Sequence, residues 1–240
     1  MQSAIYVGVS SQLVLERRME TLARNVANMN TTGYRAEEVK FSTFLSKQGA
    51  DRVNFASPGE SYISRIQGGL DQTGNPLDVA VEGDGWFAIN TPAGTVYTRD
   101  GRMKMTAQGE LRTLSDHPVL DAGGAPMQLD PEGGAPTIAR DGMIWQGNQQ
   151  VGAIGLFAID PAAKLQRHEN SGVIPDRPAT AILDFVNNGV RQGYVEGSNV
   201  NPIREMTKLI AVTRAFESAA NAIDKGEKAV DGAIRTLAEG

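Results

Sequence analysis

The sequence predicts an α+β fold in which two long terminal helices form a coiled-coil domain around a central β-rich domain. Apolar residues recur with heptad spacing near both ends of the chain. The middle is rich in glycine, since sixteen of the 27 glycines lie between Gly68 and Gly155, and short alternating segments there separate turn residues. The predicted parts are an N-terminal helix at 1–33, a linker or hairpin at 34–75, the β-rich domain at 76–195 and a C-terminal helix at 196–240.

The N-terminal helix is predicted from an apolar stripe whose members are alternately four and three positions apart. The first 29 residues contain no proline, and their only glycine is Gly8. A repeat of seven residues is typical of helices that pack along a shared seam. We expect this stripe to mediate packing between subunits; it consists of Leu15, Met19, Leu22, Val26 and Met29.

The C-terminal helix is predicted to begin near Pro202, because proline suits the first turn of a helix and Ser198 or Asn199 offers a capping side chain. A helix over 202–238 would be roughly 55 Å long at about 1.5 Å per residue. Its stripe contains two polar positions, Thr213 and Glu227. The apolar members that we expect to mediate subunit packing include Met206, Leu209, Phe216, Ile223, Val230 and Ile234.

The central β-rich domain is predicted from period-two alternation between turn signals. Leu77, Val79 and Val81 alternate with other residues and precede a glycine-rich turn at 83–85. Aspartate followed by glycine favours further tight turns at 100–101 and 141–142. Additional strands are predicted near 86–89, 95–98, 103–106, 111–114, 143–145, 153–159 and 164–167.

Composition excludes several classes of partner. The net charge is -5 and no run of basic residues occurs, which argues against binding to nucleic acid or to an anionic membrane. Cysteine is absent, so disulfides and thiolate chemistry are excluded. No apolar run approaches the roughly 20 residues of a membrane span, and the N-terminus lacks the pattern of a cleavable signal peptide.

The sequence contains histidine and aspartate residues, but they do not form a known catalytic or metal-binding motif. His117 and His168 are the only histidines, and neither belongs to a metal-binding motif. Asp78, Asp84 and Asp100 lie beside strand ends or glycine turns, where aspartate commonly has a structural role. We therefore predict no catalytic residue, no metal site, no cofactor and no small-molecule substrate.

An alternative interpretation concerns the aromatic residues of the β-rich domain. Trp86 and Tyr97 are candidates for stacking on a glycan, and the domain would then be a secreted glycan-binding module with its helices as a dimerisation stalk. Large aromatic residues more often fill the core of a small β-fold. We favour the core for Trp86 and Phe87.

Three segments together resemble one protein family. They are 24–35, 73–87 followed by 97–101, and 193–202 followed by 205–223. The chain is similar, through these segments, to flagellar basal-body rod and hook proteins, and most similar to proximal-rod subunits, with distal-rod subunits second. The motif residues are Asn25, Asn28, Asn30, Thr31, Gly33, Tyr34, Asn75, Pro76, Leu77, Asp78, Gly83, Gly85, Gly197, Ser198 and Asn199.

The resemblance implies a structural subunit that polymerises into a hollow axial drive shaft, transmits torque and lines the export channel. It implies self-association, contact with other rod proteins and with the flagellar export apparatus, and a location in the rod that spans the periplasm. Apolar stripes that one copy leaves exposed would favour such assembly, because burying apolar surface is stabilising. Around Gly33, a helix cap and a subunit contact both remain open.

Overall fold

The computed structural model describes residues 2–40, 43–45, 54–56 and 59–238. It contains two compact units. The helical unit comprises 1–27, 37–62 and 201–240, and the β unit comprises 28–36 and 63–200. Helices and many short strands together confirm the predicted α+β class and its central β-rich domain.

The described part of the helical unit contains two helices, α1 (Gln2–Ala27) and α2 (Pro202–Ala238). Pro202 occupies the first helical position of α2, as predicted. The cap differs from the prediction of Ser198 or Asn199, because Asn201 Oδ1 accepts a hydrogen bond from Arg204 N at 3.0 Å. Asn201 immediately precedes the proline, so it is the residue whose side chain can reach the free N–H groups of the first turn.

The two helices pack against each other within the helical unit. A Cβ added to Gly8 would lie 2.8 Å from Ile223 Cγ1, so the backbone of α1 approaches α2 closely there. Thr213 Oγ1 lies 3.7 Å from Met19 Sδ. Four short strands complete the described part of this unit: β1 (Glu37–Lys40), β2 (Thr43–Leu45), β3 (Asn54–Ala56) and β4 (Glu60–Ile63), of which Ile63 falls in the β unit. They form two pairs, β1 with β4 and β2 with β3.

The β unit is built from an antiparallel sheet of six strands and several smaller sheets. The strands of the large sheet are β7 (Trp86–Thr91), β8 (Gly94–Thr98), β14 (Leu156–Ala158), β15 (Leu165–His168), β16 (Gly172–Pro175) and β17 (Thr180–Ala181). Their order in the sheet is β15-β16-β8-β7-β14-β17. The remaining strands are β5 (Leu70–Gln72), β6 (Val79–Glu82), β9 (Met103–Met105), β10 (Leu111–Thr113), β11 (Pro136–Ile138), β12 (Met143–Gln146), β13 (Gln149–Ala153), β18 (Gly189–Gln192) and β19 (Tyr194–Glu196).

The core of the β unit is divided between two clusters. The larger one includes Val79, Val81 and Phe87, all fully buried. The smaller one gathers around Trp86, which is 3 % exposed. These burials confirm that Trp86 and Phe87 belong to the core. A glycan could reach Trp86 only if the fold opened, so the structure weakens the glycan-binding interpretation.

The segment 34–75, predicted as a linker or hairpin, contains the strands β1 to β5 among its described residues. Residues 37–62 cluster with the helices, whereas 34–36 and 63–75 cluster with the β unit. The chain therefore passes from one unit to the other between 36 and 37 and again between 62 and 63. No helix in the described part of the chain is long and apolar enough to cross a membrane.

Candidate assembly site

Asn25 is a buried polar residue that joins three elements of the helical unit. Its Nδ2 donates to the carbonyl oxygen of Glu37 at 2.9 Å, and its Oδ1 accepts from the backbone N of Glu37 at 2.9 Å. Nδ2 also lies 3.2 Å from Glu205 Oε2 on α2. The amide of Asn25 thus pairs with β1 as a neighbouring strand would, and it ties β1 to both helices.

Glu205 is buried at the helix interface, and a lysine on the same helix balances its negative charge. Lys208 Nζ lies 2.6 Å from Glu205 Oε1, one turn further along α2. The other carboxylate oxygen accepts from Asn25. Both oxygens therefore have partners, which a buried carboxylate requires. Glu37 also has a second contact, since its Oε2 lies 3.2 Å from Arg24 Nε.

Arg35, Arg99 and Glu196 form a buried cluster of charges in the β unit. Arg35 Nη2 lies 2.7 Å from Glu196 Oε1, and Arg99 Nη1 lies 3.1 Å from Glu196 Oε2. Arg99 Nη2 also donates to the carbonyl oxygen of Gly83 at 2.7 Å. The three charged residues come from the first, second and third motif segments, so one carboxylate holds the three segments together.

Trp86 packs against both arginines of this cluster. The guanidinium carbons of Arg99 and Arg35 lie 5.1 Å and 5.7 Å from the centre of a Trp86 ring, as in cation–π contacts. Burial lowers the pKa of Arg35 to about 10, although the carboxylate of Glu196 raises it. Burial also lowers the pKa of Arg99, against the attraction of Glu196. Glu196 supplies both guanidinium groups with an opposite charge, which partly offsets the cost of burying them.

Gly33 allows the first motif segment to approach the second closely. It has φ +70°, which confirms the positive φ suggested by its sequence context. Its N donates to the carbonyl oxygen of Glu196 at 2.7 Å, and an added Cβ would lie 2.3 Å from the backbone N of Asp100. Tyr34, the next residue, is buried, and the guanidinium of Arg167 lies 4.4 Å from its ring centre.

Asn199 repeats in the β unit the bridging role that Asn25 has in the helical unit. Its Oδ1 accepts from Ala36 N at 2.6 Å, and its Nδ2 donates to the carbonyl oxygen of Ile66 at 2.8 Å. Arg35 Nη1 contacts the same carbonyl oxygen of Ile66. The third motif segment is therefore fixed to the first by an amide as well as by the ion pair.

The second motif segment forms a tight turn before β6. Asn75 Nδ2 donates to Asp78 Oδ1 at 3.0 Å, and Leu77 N donates to Asn75 Oδ1 at 3.2 Å. The carbonyl oxygen of Pro76 accepts from Gln192 Nε2 at 2.8 Å. Asp78 is thus used to build a turn.

The other motif residues shape turns of the β unit. Gly83 has φ +87°, and Gly85 packs against Ile182, whose Cδ1 would lie 3.2 Å from an added Cβ. Gly197 N donates to the carbonyl oxygen of Gly69 at 2.8 Å, while Ser198 Oγ accepts from Val200 N at 3.3 Å. Thr31 N donates to the carbonyl oxygen of Asn28 at 3.1 Å in the turn after α1, where Asn30 is exposed.

The predicted packing stripe is only partly turned inward. Leu22 is buried, whereas Met206 is exposed. Met29 lies beyond the end of α1, in a turn of the β unit. Val230 and Ile234 lie in α2, but their side chains are outside the described residues. The half-buried members are Leu15, Met19, Val26, Leu209, Phe216 and Ile223.

A second set of apolar residues on the helices faces solvent. On α2, Ile203 is 80 % exposed and Ile210 is 55 % exposed, and Met206 lies between them. On α1, Leu13 is 58 % exposed and Val9 is also exposed. The heptad pattern identified Met206 alone of these five. On α2, Ile203 precedes Met206 by three positions and Ile210 follows it by four. This spacing was the sequence signal that the two isoleucines lie on the same helix face as Met206.

The catalytic candidates occupy structural positions. Asp100 forms an ion pair with Arg102 at 2.7 Å between Oδ2 and Nη2. Asp84 is exposed, and its backbone N donates to Asn188 Oδ1 at 3.0 Å. In the part of the chain that the structure describes, no three histidine, cysteine or acidic side chains are grouped so that they could hold a metal ion.

Comparisons with known families match the three motif segments. The model for "Flagella basal body rod protein" matches 5–35, the model for "Flagellar hook protein FlgE/F/G D1 domain" matches 80–146, and the model for "Flagellar basal body rod FlgEFG protein C-terminal" matches 191–234. These matches fall in both units, so the resemblance extends over the helices and the β unit.

Curated relatives align over nearly the full chain. The flagellar basal-body rod protein FlgF of Mesorhizobium japonicum is 52% identical over 237 residues, which cover 99% of this chain and 98% of the relative. FlgF of Rhizobium meliloti is 45% identical with the same coverage. FlgG of Agrobacterium fabrum is 30% identical over 94% of this chain and 95% of the relative. The chain therefore belongs to the flagellar basal-body rod protein family, and among these relatives it is more similar to FlgF than to FlgG.

Proposed function

We propose that the chain is a structural subunit of the flagellar proximal rod and that it works by packing against copies of itself and other rod proteins. The observation that carries the proposal is the exposed apolar row Ile203, Met206 and Ile210 on α2, in a chain that belongs to the rod protein family. Val9 and Leu13 supply a similar exposed surface on α1.

Exposed apolar side chains at helical spacing favour assembly for a physical reason. Each square ångström of apolar surface that a neighbour covers contributes about 25 cal/mol. When two different surfaces of the subunit contact each other, each copy can bind a further copy at its remaining surface. Unless the chain of contacts closes into a ring, it continues as a helical filament. An axial rod is such a filament.

In this proposal the two helices extend into a coiled coil with the helices of neighbouring subunits. The helices line the inner wall of a hollow shaft, and torque passes through the packed helices. The subunit leaves the cytoplasm through the flagellar export apparatus and resides in the rod that spans the periplasm. The family resemblance supports these points.

The proposal assigns no catalytic activity to the chain. Its support is that Asp78 and Asp100 are bound to neighbouring side chains, and that the relatives carry the names of rod proteins. A distal-rod role is the second candidate within the family, and it is supported by the alignment with FlgG over most of the chain.

The proposal is tested by deleting the gene and measuring spreading on soft agar. We expect loss of motility, rescue by the wild-type chain, and no rescue by Leu22→Asp or Leu209→Asp, because a charge buried at a packed interface is costly. The purified variants should retain a folded β unit. Normal motility of the deletion strain would refute the proposal.

A further inference from the structure

Strand β1 has a neighbouring strand on one side only, where it pairs with β4. At the start of this pair, the carbonyl oxygen of Ala36 accepts from Ser64 N at 2.8 Å, so the backbone of Ala36 faces the β4 side. The backbone of Glu37 faces the opposite side, because its N–H and C=O both bond the side-chain amide of Asn25 on α1. Asn25 therefore occupies, at Glu37, the place that a second neighbouring strand would take.

Val39 presents its backbone N–H and C=O on the same side of β1 as Glu37. Successive residues of a strand direct these groups to alternate sides, so residues two apart share a direction. The bonds to β4 fall instead to Ala36, Glu38 and Lys40. Among the strands that the structure describes, none pairs with β1 on the side of Val39.

A groove in the helical unit adjoins this open edge. It has a volume of about 310 Å³ and is lined by α1, α2 and β1, with Val39 among the lining residues. Thr21, which lies one turn before Asn25 on α1, also lines it. The groove therefore continues along β1 from the point at which the Asn25 amide occupies the edge.

The groove contains a cation that the described residues leave without a partner. The three glutamates of its wall, Glu37, Glu38 and Glu205, each have a partner for the carboxylate. Arg204 on α2 also lines the groove and is exposed, and no side chain in the described part of the chain pairs with its guanidinium. A guanidinium matches the geometry of a carboxylate, with two parallel hydrogen bonds.

We propose that an extended segment of a neighbouring rod subunit, bearing a carboxylate, adds to β1 as a further strand in this groove. The inference rests on the proposed function, which supplies the neighbouring subunit. The backbone of the segment pairs with the N–H and C=O of Val39, and its carboxylate binds Arg204. In such strand addition, backbone hydrogen bonds supply affinity and side-chain contacts supply specificity. An open strand edge favours pairing of this kind.

Val39→Pro tests the open edge. Proline lacks the N–H that the added strand needs, and it is tolerated on an edge strand where that N–H is not used within the sheet. The purified variant should therefore remain folded, with β1 still paired to β4. Val39→Ala is the matched control, because it shortens the side chain and keeps the N–H. Glu38→Pro is expected to disrupt the pair, since the N–H of Glu38 faces β4.

Incorporation is measured with epitope-tagged chains in a strain that keeps the untagged gene, so that rods form in every case. We expect Val39→Pro to be at least about tenfold depleted from purified basal bodies relative to the tagged wild type, since the added strand loses a hydrogen bond and meets the proline ring. Val39→Ala should be incorporated normally.

Arg204→Gln tests the charge in a variant whose folding is not at risk, because Arg204 is exposed. We expect a depletion of about tenfold, typical of the loss of a hydrogen bond to a charged group. Arg214→Gln, at an exposed position of α2 that does not line the groove, is the control and should enter rods normally.

Depletion of Val39→Pro and Arg204→Gln, with normal incorporation of both controls, supports strand addition. Wild-type incorporation of either variant overturns it, and so does equal depletion of its control. A Val39→Pro chain that fails to fold also overturns it, because the N–H of Val39 would then be needed within the subunit. Failure of the proposed function gives a different result, since the tagged wild-type chain would itself be absent from basal bodies.

Discussion

Arg35 and Glu196 form an ion pair in which both side chains are fully buried, with 2.7 Å between Nη2 and Oε1. The two residues are far apart in sequence and belong to the first and third motif segments. Glu196 also pairs with Arg99 from the second segment. One residue from each of the three motif segments therefore meets the others in a single buried charge cluster of the β unit.

Glu196→Ala should destabilise the β unit severely. The substitution leaves Arg35 and Arg99 buried without their shared carboxylate, and breaking a buried pair costs about 3–5 kcal/mol. Chemical denaturation followed by tryptophan fluorescence measures the loss, because Trp86 adjoins the cluster. The matched control is Glu110→Ala, which removes a partly exposed pair with Arg112 and should cost less than about 1 kcal/mol. If both variants lost the same free energy of unfolding, the buried charge cluster would contribute no more to stability than the partly exposed pair.

Gly33→Ala should destabilise the chain through backbone strain and crowding. An alanine there would have to adopt φ +70° and place its Cβ 2.3 Å from Asp100 N. We expect a loss of about 2–3 kcal/mol, typical of an overpacked site. Gly69→Ala is the control, because nothing lies within 4 Å of its added Cβ. If both alanine variants unfold at the wild-type midpoint, the close approach is not needed.

Trp86→Ala should unfold the β unit more readily than Trp145→Ala. Trp86 is buried beneath two arginines, and truncating a buried aromatic residue costs about 3–5 kcal/mol. Trp145 is partly exposed on β12, so its loss should cost about 1 kcal/mol. Urea titration of both variants compares them. A Trp86→Ala variant with wild-type stability would revive a binding role for this aromatic residue.

Asn25→Ala should loosen the helical unit while leaving the β unit folded. The change removes both hydrogen bonds to Glu37 and leaves Glu205 with one partner, at a cost of about 1–3 kcal/mol for buried groups left unpaired. Amide exchange should become faster in α1 and β1. Asn30→Ala, at an exposed turn position, is the control. Unchanged exchange in α1 would mean that the bridge contributes little.

The sequence predicted the elements whose signals are local. Pro202 marked the start of α2, Gly33 marked a positive φ, and the alternation of Leu77, Val79 and Val81 marked a buried strand. The apolar stripe did not predict all the residues that are buried between the helices, because these also include Asn25 and Glu205. Hydrophobic periodicity does not register polar residues that pair across an interface.

The charge cluster could not be predicted from a single sequence. Arg35, Arg99 and Glu196 are ordinary charged residues in their local contexts, and only the fold brings them together. The exposed row on α2 was partly visible, since Met206 was in the predicted stripe. Ile203 and Ile210 were missed, because the sequence alone does not show which face of α2 packs against α1 and which face is exposed to solvent.

The most direct test of the central claim is to recover basal bodies from a deletion strain that expresses the double variant Ile203→Asp and Ile210→Asp. Both side chains are exposed, so the purified variant should unfold within about 0.5 kcal/mol of wild type. Ser218→Asp, an exposed polar position on α2, is the control and should enter rods normally. We expect the double variant to be absent from rods. Incorporation at the wild-type level would contradict the account that neighbouring subunits cover this apolar row.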